Sequence, residues 1–218
     1  LNTGVNFGIT PKFNGSIDMN YRVNKFNFYT TLSTNLGQSR NRGNIVTETY
    51  NGIDNNIMSI NLKNDNKNYF TKTGLDFYLN DKSTLSFYTI QSFNDNEGFF
   101  RTDVNYTTGT NSNISQIFNP SGNDKNETYN LAYRYKFDKA DKTLDFELNY
   151  NRNRDPENSN FFDGDYNLTK TNQILNKGNN LIFNADFVTP VSESAKIETG
   201  IESRLDGTKN NFDINYLY

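Results

Sequence analysis

Apolar and polar residues alternate in nine short segments spread along the whole chain. In residues 143–150, TLDFELNY, apolar residues at even positions alternate with Asp145, Glu147 and Asn149. Successive side chains of a strand point to opposite faces of a sheet, so this pattern predicts a strand with one apolar and one polar face. Such a strand lies either between a protein core and water or between lipid and a wet lumen.

The alternating segments predict the fold class. They are residues 5–9, 15–22, 26–36, 73–80, 84–93, 128–137, 143–150, 180–188 and 196–205. Several approach the ~9–11 residues that a tilted strand needs to cross a bilayer, and no segment has helical periodicity. We therefore predict an all-β protein, an antiparallel up-and-down transmembrane β-barrel segment of about nine strands.

The connections between these segments alternate in length. The short ones are 23–25, 80–83, 138–142 and 189–195, and the long ones, rich in Asn, Asp, Gly and Ser, are 37–68, 94–127 and 151–178. Alternate connections of an antiparallel meander lie on opposite sides of the sheet. The chain is thus expected to have short turns on one side and long loops on the other, as outer-membrane barrels do.

Composition fits this prediction and excludes several classes of function. Aromatic residues make up 15% of the chain beside a mean hydropathy of −0.84, which suits strands whose apolar residues are diluted by lumen residues. A net charge of −3 argues against nucleic-acid binding. Without Cys or His, the chain has no disulfide, thiolate or imidazole chemistry. We predict no enzyme activity, no catalytic residue and no cofactor or metal.

Charged residues fall on the polar side of the predicted strands. They are Asp18, Arg22, Asp76, Arg134, Lys136, Asp145, Glu147, Asp186, Glu198, Glu202 and Arg204. An Arg or Lys facing lipid at mid-bilayer costs about 2–4 kcal/mol, so we assign this face to the lumen. We interpret it as a wall whose opposite charges pair across strands; the alternative is a substrate path. Tyr21, Tyr133, Tyr135 and Tyr150 are expected to lie where an aromatic girdle forms.

Three further patterns suggest sites, each with a plainer explanation. The predicted loops contain Phe99, Phe100, Tyr106, Phe118, Phe161 and Phe162. These aromatics would form a binding surface, or they pack the loops together or mark strands that extend beyond the membrane, which we favour. Residues 93–98 and 162–167 carry alternate oxygens but lack the full calcium-loop spacing. Asp145 and Glu147 resemble a glycosidase carboxylate pair, a spacing that any polar strand face produces.

Four stretches carry a family resemblance. Residues 14–33 (NGSIDMNYRVNKFNFYTTLS), 74–88 (GLDFYLNDKSTLSFY), 129–155 (YNLAYRYKFDKADKTLDFELNYNRNRD) and 184–204 (NADFVTPVSESAKIETGIESR) occur in this order. In this order and over nearly the whole chain, they resemble the barrel region of TonB-dependent receptor-like outer-membrane proteins of Bacteroidota. The resemblance implies location in the outer membrane and uptake of an unidentified solute.

The resemblance also implies partners and a larger domain. We expect residues 1–218 to be part of one outer-membrane β-barrel domain, with the plug domain and the remaining strands outside this chain. Its partners would be the lipid bilayer, a TonB-type energy-transducing complex acting through the plug, and a surface lipoprotein. Two alternatives remain: a structural or adhesive surface barrel without transport, and a soluble secreted β-sandwich adhesin. The ligand-binding residues are not identified by the sequence.

Overall fold

Nine antiparallel strands form a single sheet in the computed structural model, which describes residues 2–50, 52–192 and 195–217. The strands are β1 (Asn2–Asn6), β2 (Lys12–Val23), β3 (Phe26–Thr47), β4 (Asn56–Asn80), β5 (Ser83–Tyr106), β6 (Ile114–Lys136), β7 (Thr143–Asp163), β8 (Leu168–Ser192) and β9 (Ala195–Tyr216). Each pairs with its neighbours in sequence order, so β1 and β9 are the edges of the described sheet. The predicted nine-stranded up-and-down meander is confirmed.

The strands are much longer than the sequence predicted. Strands β3 to β9 contain 21–25 residues each, about twice the length needed to cross a bilayer. The three long loops were therefore predicted wrongly, because most of their residues continue the strands. The connections that remain are residues 48–55, 107–113 and 164–167.

Polar composition explains this error. Asn, Asp and Gly have low strand propensity. In a long hairpin, however, the residues already paired hold the two strands in register, and each further residue pair completes backbone hydrogen bonds. Asn44 thus lies opposite Ser59, and Asn96 lies opposite Gly122. We call these outer halves the extension; it comprises residues 37–47, 56–68, 94–106, 114–127, 151–163, 168–178 and 206–216.

The inner halves carry a continuous apolar band on one face. Phe26 lies opposite Phe77 with ring centroids 4.7 Å apart, and Leu131 lies opposite Leu148. Leu131 and Leu148 are 46% and 40% exposed, and Ile117 is the one fully buried apolar side chain among the described residues. The apolar band therefore has no protein core to cover it. A β-sandwich, which needs a second sheet packed against this face, does not fit.

Short turns close the other side of the sheet. Two residues each join β2 to β3 and β4 to β5, and residues 137–142 join β6 to β7. Asn24 adopts a φ of 49° in the first turn, a left-handed conformation that Asn tolerates better than most residues. These three predicted short turns are confirmed. The fourth, 189–195, includes residues 193 and 194, which lie outside the described residues.

The described residues include no helix long and apolar enough to cross a membrane.

Candidate functional site

The polar face of the inner halves is a hydrogen-bonded wall. Asp76 on β4 accepts hydrogen bonds from Asn27 Nδ2 on β3, at 3.0 Å, and from Ser86 Oγ on β5, at 2.7 Å. On the neighbouring pair of strands, Thr31 Oγ1 donates to Asp18 Oδ1 at 2.7 Å. These carboxylates are satisfied by neighbours in the sheet, so they stiffen the wall as well as making it polar.

The wall continues across β6 and β7. Asn130 is only 2% exposed and its Nδ2 donates to Glu147 Oε1 and Asn149 Oδ1, both at 2.6 Å. Arg134 lies directly opposite Asp145, with Nε and Oδ1 2.5 Å apart. The predicted pairing of opposite charges across strands is confirmed here. Asp145 and Glu147 have different partners, so each acts as a separate acceptor within the wall.

Aromatic rings hold cations on the same face. Lys72 Nζ lies 5.9 Å from the ring centroid of Tyr29 and 5.1 Å from that of Tyr88. The Arg22 guanidinium carbon lies 4.6 Å from the ring centroid of Tyr78. Such cation–π contacts are attractive and leave part of each cation accessible. The lumen wall therefore presents fixed charges of both signs.

In the extension, this face carries a row of aromatic rings. Phe100, Phe118 and Phe161 lie on adjacent strands, followed by Lys170 and Tyr216. Centroid distances are 5.4 Å from Phe100 to Phe118 and 4.7 Å from Phe118 to Phe161. Lys170 Nζ lies 4.0 Å from the Phe161 centroid and 5.9 Å from that of Tyr216. We call these five residues the inner aromatic row.

Gly98 makes room for the inner aromatic row. A Cβ at this position would overlap the Phe100 ring and would lie 2.8 Å from Pro120 Cγ. Any side chain there would force the ring or the proline to move. The glycine therefore lets Phe100 lie across its own strand, toward Phe118.

A small cavity lies beside the inner aromatic row. Its volume is about 210 Å³, and its lining includes Asn64, Asn96, Pro120, Asp124 and Glu157. Burial and a hydrogen bond with Asp155 raise the pKa of Asp124 above its ordinary value. The cavity thus places amide and carboxyl groups near the half-buried rings of the row. Rings and polar acceptors in this arrangement suit a ligand with both a flat apolar face and hydroxyl groups.

The structure separates the aromatics that the sequence grouped together. Phe100, Phe118 and Phe161 join the inner aromatic row, whereas the side chains of Phe99 and Phe162 alternate to the opposite face of β5 and β7. The expectation that these residues mark strands beyond the membrane is confirmed, and the three row members also pack on one another.

Two members of the row, Lys170 and Tyr216, were missed. On β9 the lumen-facing positions change from charged to apolar beyond Leu205, at Phe212, Ile214 and Tyr216. Following the alternation past Leu205 would have found this signal.

Neither proposed calcium segment gathers its oxygens at one point. Residues 93–98 lie within β5, so Asp95 and Glu97 face one side and Asn94 and Asn96 the other. In the turn at 164–167, Asp163 accepts hydrogen bonds from the backbone N–H groups of Asp165 and Asn167, both at 2.9 Å. These bonds, with one from the Asn167 side chain, hold the pKa of Asp163 below its ordinary value. Its oxygens shape the turn.

A comparison with known families gives the setting of this sheet. Residues 135–217, which include all of β7, β8 and β9, match the family model described as an outer membrane protein beta-barrel family. No curated protein and no solved structure was found to match. The chain forms a β-barrel segment of the outer membrane. The predicted location and the predicted contact with its lipid bilayer are thereby confirmed.

The orientation of the outer-membrane barrel segment follows from its turns. Short turns are periplasmic in bacterial outer-membrane barrels, so the extension is extracellular. The apolar band faces lipid and the hydrogen-bonded wall faces the lumen. The inner aromatic row therefore lies on the lumen side, above the membrane.

Proposed function

We propose that this barrel segment belongs to a TonB-dependent receptor, and that a solute arriving from outside first binds at the inner aromatic row. The observation that carries the proposal is the contiguous row of rings on the lumen side of the extension. It stands above a wall of fixed charges, on the route that any solute entering the lumen would take. The resemblance of residues 14–33, 74–88, 129–155 and 184–204 to such receptors supports the same function.

The row limits the chemistry of the solute. Stacked Phe rings contact flat apolar surfaces, and Lys170 adds one cation between Phe161 and Tyr216. The adjacent cavity offers acceptors for hydroxyl groups. A sugar ring has one apolar face and a rim of hydroxyl groups, so a soluble oligosaccharide is the solute class that we propose.

The proposal includes partners outside residues 1–218. Energy would come from a TonB-type complex through a plug domain, and a surface lipoprotein would cover the extracellular opening. Further strands would pair with the exposed backbone groups of β1 and β9 and complete one barrel domain, because nine strands are too few for the width of a plugged transporter of about 22 strands. The resemblance to receptors of Bacteroidota supports each of these proposals.

The second candidate is a structural or adhesive surface barrel without transport. The length of the extension favours it, because strands of 21–25 residues project far beyond the bilayer. An adhesin would bind its target at the extension but would need no energy source. Dependence on TonB therefore separates the two functions.

The test uses the full-length protein in its own outer membrane. Binding of a panel of soluble oligosaccharides is measured with Phe118→Ala and with Phe99→Ala, a matched ring on the opposite face. We expect Phe118→Ala to weaken binding at least about tenfold, as loss of a central aromatic anchor does, and Phe99→Ala to leave it within about twofold. Accumulation of the bound sugar should stop when TonB is deleted. Equal binding by both variants would contradict the proposed site, and accumulation without TonB would contradict the transport mechanism.

A further inference from the structure

Four cations stand side by side on the lipid-facing side of the sheet. Lys125 lies opposite Arg154, Arg154 opposite Lys177, and Lys177 opposite Lys209. We call them the outer cation row. Directly opposite side chains have Cβ atoms about 4.5–5.5 Å apart, so the row places four positive charges on four adjacent strands.

The number of residues between each cation and the apolar band shows which face of the sheet carries the outer cation row. Arg154 is an even number of residues from Leu148, as Lys177 is from Phe183 and Lys209 from Leu205, with unbroken pairing between them. Side chains an even number of residues apart share a face. The outer cation row therefore lies on the same surface as the apolar band.

The row also lies at a defined height. Each cation is four residues beyond the residue at which the apolar band ends on its own strand: Tyr129, Tyr150, Leu181 and Leu205. Four residues span about 13 Å along a strand, or about 9 Å along the membrane normal at a tilt of about 45°. The rings of Tyr129 and Tyr150, with centroids 6.4 Å apart, form part of the aromatic girdle that marks the interface. The cations thus stand at the level of the lipid headgroups of the outer leaflet.

Three of the four cations have no counter-charge. Lys125 forms an ion pair with Glu127, with Nζ and Oε1 2.8 Å apart. Within the described part of the chain, Arg154, Lys177 and Lys209 form no ion pair, and each faces another cation across the ladder. Like charges directly opposite destabilise a sheet. These four cations are adjacent although the chain as a whole has more acidic than basic residues.

A cleft lies beside two of these cations. Its volume is about 340 Å³, and its lining includes Tyr150, Arg152, Lys177, Asn179 and Lys209. Gly207 also lines it, and the side-chain oxygen of Asn179, which lies opposite, occupies the position where a Cβ of residue 207 would be.

We propose that the outer cation row binds the phosphate groups of an anionic glycolipid of the outer leaflet. The acyl chains lie on the apolar band, and the phosphate sits in the cleft at Lys177 and Lys209, with Arg154 opposite Lys177 on the neighbouring strand. Arg offers a planar fork of donors to phosphate, and Lys a point charge. The bound phosphate supplies the counter-charge that the sheet lacks and fixes the height of the barrel in the membrane.

The test uses the full-length protein purified in mild detergent and lipopolysaccharide from the same outer membrane as the probe. Binding is measured by native mass spectrometry for a triple variant, Arg154→Gln, Lys177→Gln and Lys209→Gln. The control is Arg40→Gln, Arg42→Gln and Lys63→Gln, which removes three cations from the same face but on β3 and β4, away from the cleft. We expect the triple variant to lose at least about tenfold in affinity and the control to change less than about twofold.

A second variant distinguishes a loss of lipopolysaccharide binding from a loss of folding. Lys177→Glu places a carboxylate between Arg154 and Lys209, which relieves the repulsion and should raise the thermal midpoint while it weakens lipopolysaccharide binding. Excess inorganic phosphate should compete poorly, because it lacks the acyl chains. Unchanged lipopolysaccharide binding by the triple variant or by Lys177→Glu would overturn the proposal. Complete competition by inorganic phosphate would also overturn it, in favour of a free-phosphate site.

Discussion

Adjacent residues of one strand meet different solvents in this sheet. Leu148 faces the bilayer, and the next residue, Asn149, accepts a hydrogen bond from Asn130 in the lumen wall. Farther along, Asp124 faces the cavity beside the inner aromatic row, and Lys125 faces outward at the headgroup level. A shift of one position along a strand therefore decides whether a side chain faces the lipid side, the cavity or the lumen wall.

The raised pKa of Asp124 predicts a pH-dependent variant effect. Its folded state holds the proton more tightly than the unfolded state, so stability is highest below the unfolded pKa of about 3.9 and falls as the pH rises through the folded pKa. Asp124→Asn removes this penalty while keeping an acceptor for Asn94 and gaining a donor for Asp155. We expect a higher thermal midpoint than wild type at pH 7 and no difference at pH 3.5. Gel mobility after heating measures it.

Asp213→Asn is the matched control, because Asp213 is an exposed carboxylate on β9. A stability gain at pH 7 that persists at pH 3.5 would contradict the assignment to proton binding.

At the scale of elements, the sheet repeats a two-stranded hairpin, and each hairpin has three zones from its turn outward. A short turn comes first, then a two-faced segment that crosses the membrane, then an extension whose lumen-side face carries the rings. In the hairpin of β6 and β7, the pairing runs from Lys136 and Thr143 near the short turn to Gln116 and Asp163 at the outer end. One register thus positions the lumen wall, the outer cation row and the inner aromatic row.

The register of the extension can be tested by a disulfide. Asn44 on β3 lies opposite Ser59 on β4, far inside the segment that the sequence suggested was a loop. The Cα atoms of opposite residues are about 4.5–5.5 Å apart, within the range for a disulfide. Because the natural chain has no Cys, Asn44→Cys with Ser59→Cys should form one clean crosslink on mild oxidation, detected by mass spectrometry.

The control pairs Asn44→Cys with Asn61→Cys, one diagonal step away, where the Cα separation of about 7–8 Å disfavours a bond. Equal crosslinking of both pairs would mean that residues 37–68 form a loop without fixed register.

The sequence predicted the membrane halves of these hairpins and missed the outer halves for a physical reason. Lipid on one side and water on the other impose strict alternation on segments such as 143–150. Water on both sides of the extension imposes no such pattern, and Asn-rich strands there are held by the register of the hairpin. The charged residues of the lumen wall were predicted from the sequence. Lys170 and Tyr216 were not, because they lie beside Phe161 only through the register between neighbouring strands, which the sequence of one segment does not reveal.

The whole molecule is a sheet one strand thick, with a lipid-facing and a lumen-facing surface. The apolar band is too exposed to be stable in water, and bilayer contact is what stabilises it. The apolar band ends at Tyr129 and Tyr150, and the rings of Phe118 and Phe161 lie eleven residues farther out on the same two strands, on the opposite surface. The membrane position of the sheet therefore decides which surfaces are available to a solute.

Substitution by Arg on the two faces tests this arrangement. Leu148→Arg places a charge in the lipid, which we expect to destabilise the barrel by about 2–4 kcal/mol near mid-bilayer. Asn149→Arg places the same charge in the lumen near Glu147, where we expect less than about 1 kcal/mol. Unfolding of the full-length protein in vesicles with guanidinium measures both. Equal destabilisation by the two variants would contradict the assignment of the faces.

The strict neighbour-to-neighbour order of the strands has a consequence for how the barrel is built. Every pairing among the nine described strands joins sequence neighbours, so each of these hairpins can add to the sheet without a partner from a distant part of the chain. We expect the turn at Asn24 and its counterparts to set the alignment of each addition. An error in one turn would then displace only the strands added after it.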